Sequence, residues 1–181
     1  MFLLRSAVRP LLACTLLLFA GALAQPAHAH AQSSTPAVAD QSPVGIWKQI
    51  DDRTGQAKSL IQIREVDGEL VGNVMKVLRS KKGPNPLCDQ CSGDLKNKPV
   101  NGMEILKGMK PHGHSWSGGT ILDPKSGDTY RCTMKVIDGG AKLKVRGYIG
   151  FALFGRTQVW LRETPEAAAA AHFVASDPGT D

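Results

Sequence analysis

The sequence predicts an all-β chain, folded as a small antiparallel up-and-down β-barrel of about eight strands over residues 44–163. Three observations carry that reading. Apolar and polar residues alternate along Ser59–Val66 and, most cleanly, along Asp128–Ile137. The runs are short and separated by turn signals such as Asp67-Gly68, Asp123-Pro124-Lys125-Ser126-Gly127 and Asp138-Gly139-Gly140. The span opens on Gly45-Ile46-Trp47 and closes on Gly155-Arg156-Thr157-Gln158-Val159-Trp160-Leu161-Arg162, so the two ends read as strands that pair and close a ring.

Val44–Ile50 forms the first strand and stops at Asp51-Asp52-Arg53-Thr54-Gly55, a polar turn whose glycine accepts positive φ. Ser59–Val66 then sets Ile61 and Ile63 on one face, Gln62 and Arg64 on the other. After the Asp67-Gly68 hairpin comes Glu69–Leu78, apolar on both faces, with Gly72 marking the bend that closure requires. Arg79–Gly102 breaks the pattern with Pro84, Pro86, Pro99 and the pair Cys88-Asp89-Gln90-Cys91. A long irregular insert in a compact domain is functional or tied down.

A short strand is expected at Met103–Lys107, a turn at Pro111-His112-Gly113-His114 and one strand at Ser115–Leu122. Asp128–Ile137 places Tyr130, Cys132, Met134 and Val136 on one face and Arg131, Thr133 and Lys135 on the other, which predicts a buried Cys132. Ala141–Ile149 directs Leu143, Val145 and Ile149 inward and Lys142, Lys144 and Arg146 outward.

Outside this domain the chain changes character. Met1–Arg9 carries two arginines and Leu11–Ala24 is an apolar run, so residues 1–31 read as a signal peptide cleaved after 24, 29 or 31. The run is too short to span a bilayer comfortably. Cys14 lies inside it and not after it, which argues against lipidation. Residues 32–43 read as a flexible leader and 164–181 as a tail, disordered or a short helix started by Thr164-Pro165-Glu166. The expected destination is the periplasm, with release to the medium or a lipid anchor as alternatives. The formal net charge of +6 includes Arg5 and Arg9 of the leader. Apart from Arg79-Ser80-Lys81-Lys82, the remaining cations are scattered singly through the strands and no aromatic platform alternates with them, which argues against nucleic acid.

The pattern Gly-x-Trp on the first strand with a basic residue on the last resembles calycin-type barrels, in which an Arg packs on the Trp face and seals one end. Further motifs sharpen the resemblance: Asp51-Asp52-x-Thr54-Gly55, Cys88-x-x-Cys91, Leu122-Asp123-Pro124-x-x-Gly127-x-x-Tyr130 and Leu143-x-Val145-Arg146-Gly147-Tyr148-Ile149-Gly150. With Gly155-Arg156-Thr157-x-x-Trp160 they resemble the exported bacterial family known as domain of unknown function 2147. That resemblance implies a single exported, lipocalin-like domain with no established activity.

Several residues carry candidate chemistry. In an exported protein Cys88 and Cys91 read first as a structural disulfide. Thiol redox chemistry is the alternative, as is a zinc site made with His112 and His114. Cys132 is either a buried free thiol or the partner of one insert cysteine. Asp51, Asp52 and Asp123 sit in turns, where Asp accepts backbone N–H bonds, and this reading is preferred to a catalytic one. No nucleophile motif, phosphate-cradling loop or histidine cluster is present, so the protein is read as no enzyme and as needing no cofactor.

The segment Arg146–Arg156, with Tyr148, Phe151 and Phe154, is an apolar loop with an Arg at each end. It is expected first to fold over the barrel end as a plug, with a lid or a docking surface as alternatives. Two functions follow. One is a binding module for a small apolar or amphipathic, lipid-like ligand. Trp47 and Trp160 would then form its wall, Arg146 or Arg156 would meet an acidic head, Tyr148 would complete the site, and Phe151 and Phe154 would gate entry. The other is a filled barrel, packed by residues such as Met75 and Met134, that meets an envelope protein or the envelope itself through its loops.

Overall fold

A computed structural model describes residues 41–151 and 155–174. The proposed signal peptide, most of the leader, Phe154 and the last residues of the tail lie outside them. Nine antiparallel strands run in chain order: β1 Gly45–Ile50, β2 Ala57–Val66, β3 Glu69–Val77, β4 Glu104–His112, β5 Ser115–Ser117, β6 Thr120–Asp123, β7 Asp128–Ile137, β8 Lys142–Tyr148 and β9 Gly155–Glu163. β1 pairs with both β2 and β9, β3 closes on β4, and β7 closes on β5 and β6. Because β5 and β6 share one place in the ring, the barrel has eight positions, as the sequence predicts.

The expected strand Ser115–Leu122 is therefore two strands. The break falls at Gly118-Gly119. Gly118 has φ +83°, and a Cβ on Gly119 would lie 2.1 Å from the Lys107 carbonyl oxygen, so the backbone of β4 fills the space a side chain would need. β4 is longer than the run Met103–Lys107 and passes through Pro111 to His112, where Pro111 lies opposite Trp116. Proline is tolerated there because the ladder to the three-residue β5 is ending. Gly72 lies at a register shift between β3 and β4, where a Cβ would come 2.9 Å from that of Leu106. The bend expected at this glycine is a close approach of two strands.

Trp47, Ile61, Ile63, Val74, Leu106, Met109, Met134, Leu143, Val145 and Trp160 belong to one buried cluster. Met75, on the opposite face of β3 to Val74, is only half-buried, and the fully buried methionines are Met109 and Met134. The tail forms helix α1, Pro165–Val174. Thr164 Oγ1 accepts from the Ala167 N–H at 3.1 Å, Pro165 suits the first helical position, and Ala168 is buried. Burial of that face gives so short an alanine helix the tertiary support it needs.

Candidate functional site

The two ends of the barrel are built differently. At one end lie the start of β1, the β2–β3, β4–β5 and β7–β8 turns and the end of β9. Here Trp47 is fully buried and donates its Nε1–H to the Pro43 carbonyl at 2.7 Å. The Arg162 guanidinium stacks on its ring, so this end is sealed. The glycine of the Gly-x-Trp motif has a physical reason: Gly45 takes φ +136°, and a Cβ would meet Arg162 Nη1 at 3.0 Å.

The opposite end carries the β1–β2 turn, the insert, the β6–β7 turn and the β8–β9 loop. Within the barrel the inward positions of β2, β1 and β9 become polar toward this mouth. Ser59 Oγ donates to Gln49 Oε1 at 2.7 Å, Gln49 Nε2 to Gln158 Oε1 at 2.9 Å, and Trp160 Nε1 to the same oxygen at 3.2 Å. At the lip Arg156 binds Asp52 Oδ2 through Nε at 3.2 Å and Nη2 at 2.7 Å. Asp51 accepts the backbone N–H groups of Arg53 and Thr54, and these hold its carboxyl below the usual range. Asp123 accepts from the Lys125 N–H at 3.0 Å. These carboxylates make turns and an ion pair.

The insert packs against this end of the barrel. Cys88 and Cys91 form a disulfide, with Cα atoms 5.3 Å apart, and both are buried in the main cluster with Val100 and Met103. The Cys88 N–H bonds the Lys98 carbonyl and the Val100 N–H that of Pro86. The insert rests on the β6–β7 turn, where a Cβ on Gly127 would lie 2.0 Å from the Gln90 carbonyl oxygen. Lys82 pairs with Asp89 and holds its carboxyl below the usual range.

The β8–β9 loop is not the plug in its described part. Ile149 is 68% exposed and Phe151 82% exposed. β8 ends at Tyr148, so the inward alternation expected to reach Ile149 stops before it. Buried apolar side chains at this end come from the insert. Its own apolar residues were hard to see because they are separated by Pro, Gly and charges.

Of the proposed ligand residues, Phe154 lies outside the described residues, and the other six are spread over the core, the outer face and the lip. Trp47 and Trp160 have no exposed surface. Arg146 lies on the outer face, donating to Thr157 Oγ1 at 2.9 Å, with Tyr148 two positions along the same face. Arg156 is at the lip and Phe151 stands clear of it. His112 and His114 are exposed in the β4–β5 hairpin at the sealed end, whereas Cys88 and Cys91 are oxidised at the mouth. The four do not converge, and among the described residues no group of three or more His, Cys, Asp or Glu could hold a metal. Cys132 is a free, buried thiol, its pKa pushed up to about 12 by burial. Two cavities open outside the barrel beside the insert. One of about 350 Å³ is bordered by Leu95, Lys98 and Met103, and one of about 140 Å³ by Leu95, Ile105 and Leu122.

Residues 45–162 match the bacterial family described as "Uncharacterized protein conserved in bacteria (DUF2147)". The chain belongs to the DUF2147 family. The fold of this DUF2147 protein is similar to that of protein HP1028 from Helicobacter pylori, a solved structure whose title places it in the lipocalin family. The two share 16% identity with a TM-score of 0.63, over 73% of this chain and 90% of the other. The DUF2147 domain is thus lipocalin-like in fold. No curated protein matches the chain.

Proposed function

We propose that this DUF2147 protein is an exported, non-catalytic binding protein that meets its partner on its outer surface, with the barrel as a filled scaffold. One observation carries the reading. Trp47, Met109, Met134 and Trp160 are all fully buried in a single cluster, and Cys88 and Val100 of the insert belong to the same cluster. A barrel of this size either holds a small ligand or is filled by its own side chains. The exposed Ile149 and Phe151 offer a contact surface instead. Export rests on the leader sequence and on the oxidised Cys88–Cys91 pair, which suits an oxidising compartment.

The test is native mass spectrometry of the protein purified from its own cell envelope without reductant, before and after solvent extraction. The filled scaffold requires the bare polypeptide mass, less the hydrogens lost to one disulfide. A reproducible added mass that disappears on extraction would overturn it.

That result would favour the second reading, a small apolar or amphipathic ligand held at the mouth. The half-buried inward amides of Gln49 and Gln158, above Trp160 and below the Arg156–Asp52 pair, favour it as a shallow polar ledge.

A further inference from the structure

The registers of β7, β8 and β9 collect cations that the sequence scatters. Cys132, Met134 and Val136 point into the core, so Arg131, Thr133 and Lys135 face outward. Opposite them on β8 stand Tyr148, Arg146 and Lys144, and opposite these on β9 stand Gly155, Thr157 and Val159. No carboxylate occupies any of these nine positions.

Lys135 faces Lys144 directly. Like charges directly opposite on an antiparallel pair destabilise it, and no carboxylate at the neighbouring positions of this face offsets the repulsion. The side chains of Arg131, Lys135 and Lys144 are exposed and make no ion pair or hydrogen bond among the described residues. Toward the mouth the strip ends in Ile149 and Phe151, the two most exposed large apolar side chains described.

We propose that this outer face, with the Ile149–Phe151 tip, docks on an anionic lipid surface. The inference rests on the reading that the protein acts from its outer surface. Charge complementarity calls for an anionic partner. The apolar tip selects lipid among anionic partners, because a soluble polyanion would be met by the cations alone. A bilayer accepts Phe and Ile at the acyl boundary while its headgroups meet the Lys and Arg beside them. Two weak signals, one apolar and one basic, suffice for reversible attachment.

The test is co-sedimentation of the full mature chain with vesicles of equimolar phosphatidylglycerol and phosphatidylcholine, against vesicles of phosphatidylcholine alone. The wild type should bind the first, release in high salt, and ignore the second. Each cation near an anionic bilayer contributes about fivefold to affinity, so Lys135→Gln with Lys144→Gln should weaken binding roughly 25-fold. That variant removes a repulsion and should fold at least as well as the wild type. Phe151→Ser, at an exposed position, should weaken binding about tenfold. Lys110→Gln, near the C-terminal end of strand β4, outside the strip, should change nothing.

Absence of binding to the anionic vesicles, or binding unaltered in the double variant, would overturn the proposal. So would dextran sulfate binding that needs the lysines but ignores Phe151→Ser when vesicle binding does the same, which would assign the face to an anionic polymer. If vesicles fail while the envelope-purified protein has its bare mass, the lipid is wrong and the surface reading stands. A cargo mass that the Lys135→Gln with Lys144→Gln variant and the Phe151→Ser variant retain would instead bring down the surface reading, whatever the vesicles show.

Discussion

The guanidinium carbon of Arg162 lies 4.2 Å from the centroid of the Trp47 ring. The same group donates from Nε to the Gly140 carbonyl at 2.6 Å, from Nη2 to that of Ser42 at 2.7 Å and from Nη1 to that of Val44 at 3.1 Å. One side chain thus joins the first strand, the last strand and the β7–β8 turn. Arg162→Ala should lower unfolding stability by about 3 kcal/mol, through lost charge-assisted hydrogen bonds and ring stacking. Arg162→Lys should recover less than half of that, since an ammonium lacks the planar fork. Urea midpoints at constant slope measure both. Full recovery by lysine would mean that charge alone matters.

Gly127 is where the insert sits on the barrel. With φ +78° and the Gln90 carbonyl oxygen 2.0 Å from a hypothetical Cβ, Gly127→Ala should cost about 2 to 3 kcal/mol and lift the insert. Gly55→Ala, with nothing within 4 Å of its Cβ at φ +68°, should cost only about 1 kcal/mol. Equal midpoints for the two variants would contradict the seating described.

Reducing the Cys88–Cys91 bond should cost about 2 kcal/mol, the value expected for so short a loop. Its effect should be local. Amide exchange should quicken at Cys88 and Val100, whose N–H groups bond within the insert, while amides of β7 and β8 keep their protection. Uniform loss of protection would show that the insert is part of the global folding unit.

Cys132 should ignore thiol reagents in the native state at neutral pH and react on unfolding. Its alkaline linkage has a definite sign. The thiol keeps its proton in the folded protein up to about 12, against 9.0 for the ordinary group. Its contribution is fully present below pH 9.0 and is lost as pH rises toward 12, with a slope of about 1.4 kcal/mol per pH unit. Cys132→Ala should flatten this slope. Parallel stability curves for the two proteins would refute it.

Much of the barrel was legible because burial of one face writes itself as alternation. Asp128–Ile137 reads correctly, since Cys132, Met134 and Val136 are core and Arg131 and Lys135 are not. The Gly118-Gly119 break was missed although two glycines signal a turn, because its cause is the Lys107 carbonyl on another strand. The insert was recognised as stapled, yet its packing onto the core depends on Cys88 and Val100 being buried, which no local period encodes. Of the candidate site, the packing of a basic residue of the last strand on Trp47 was legible through the resemblance, whereas the complete burial of Trp47 was not. The basic strip was invisible in the chain. Arg131, Lys135, Lys144 and Arg146 become neighbours only through the register of β7 and β8.

Closure of the ring through β3–β4 and β6–β7 also limits how this protein is recognised. An open sheet presents a margin of unpaired amides and carbonyls to which another chain adds as an extra strand. With each strand of the circuit flanked on both sides, that general-purpose main-chain adhesive is largely withdrawn. What touches this protein must then be chosen by its side chains, so exchanging residues on its faces and loops can change its associations while the circuit itself stays intact.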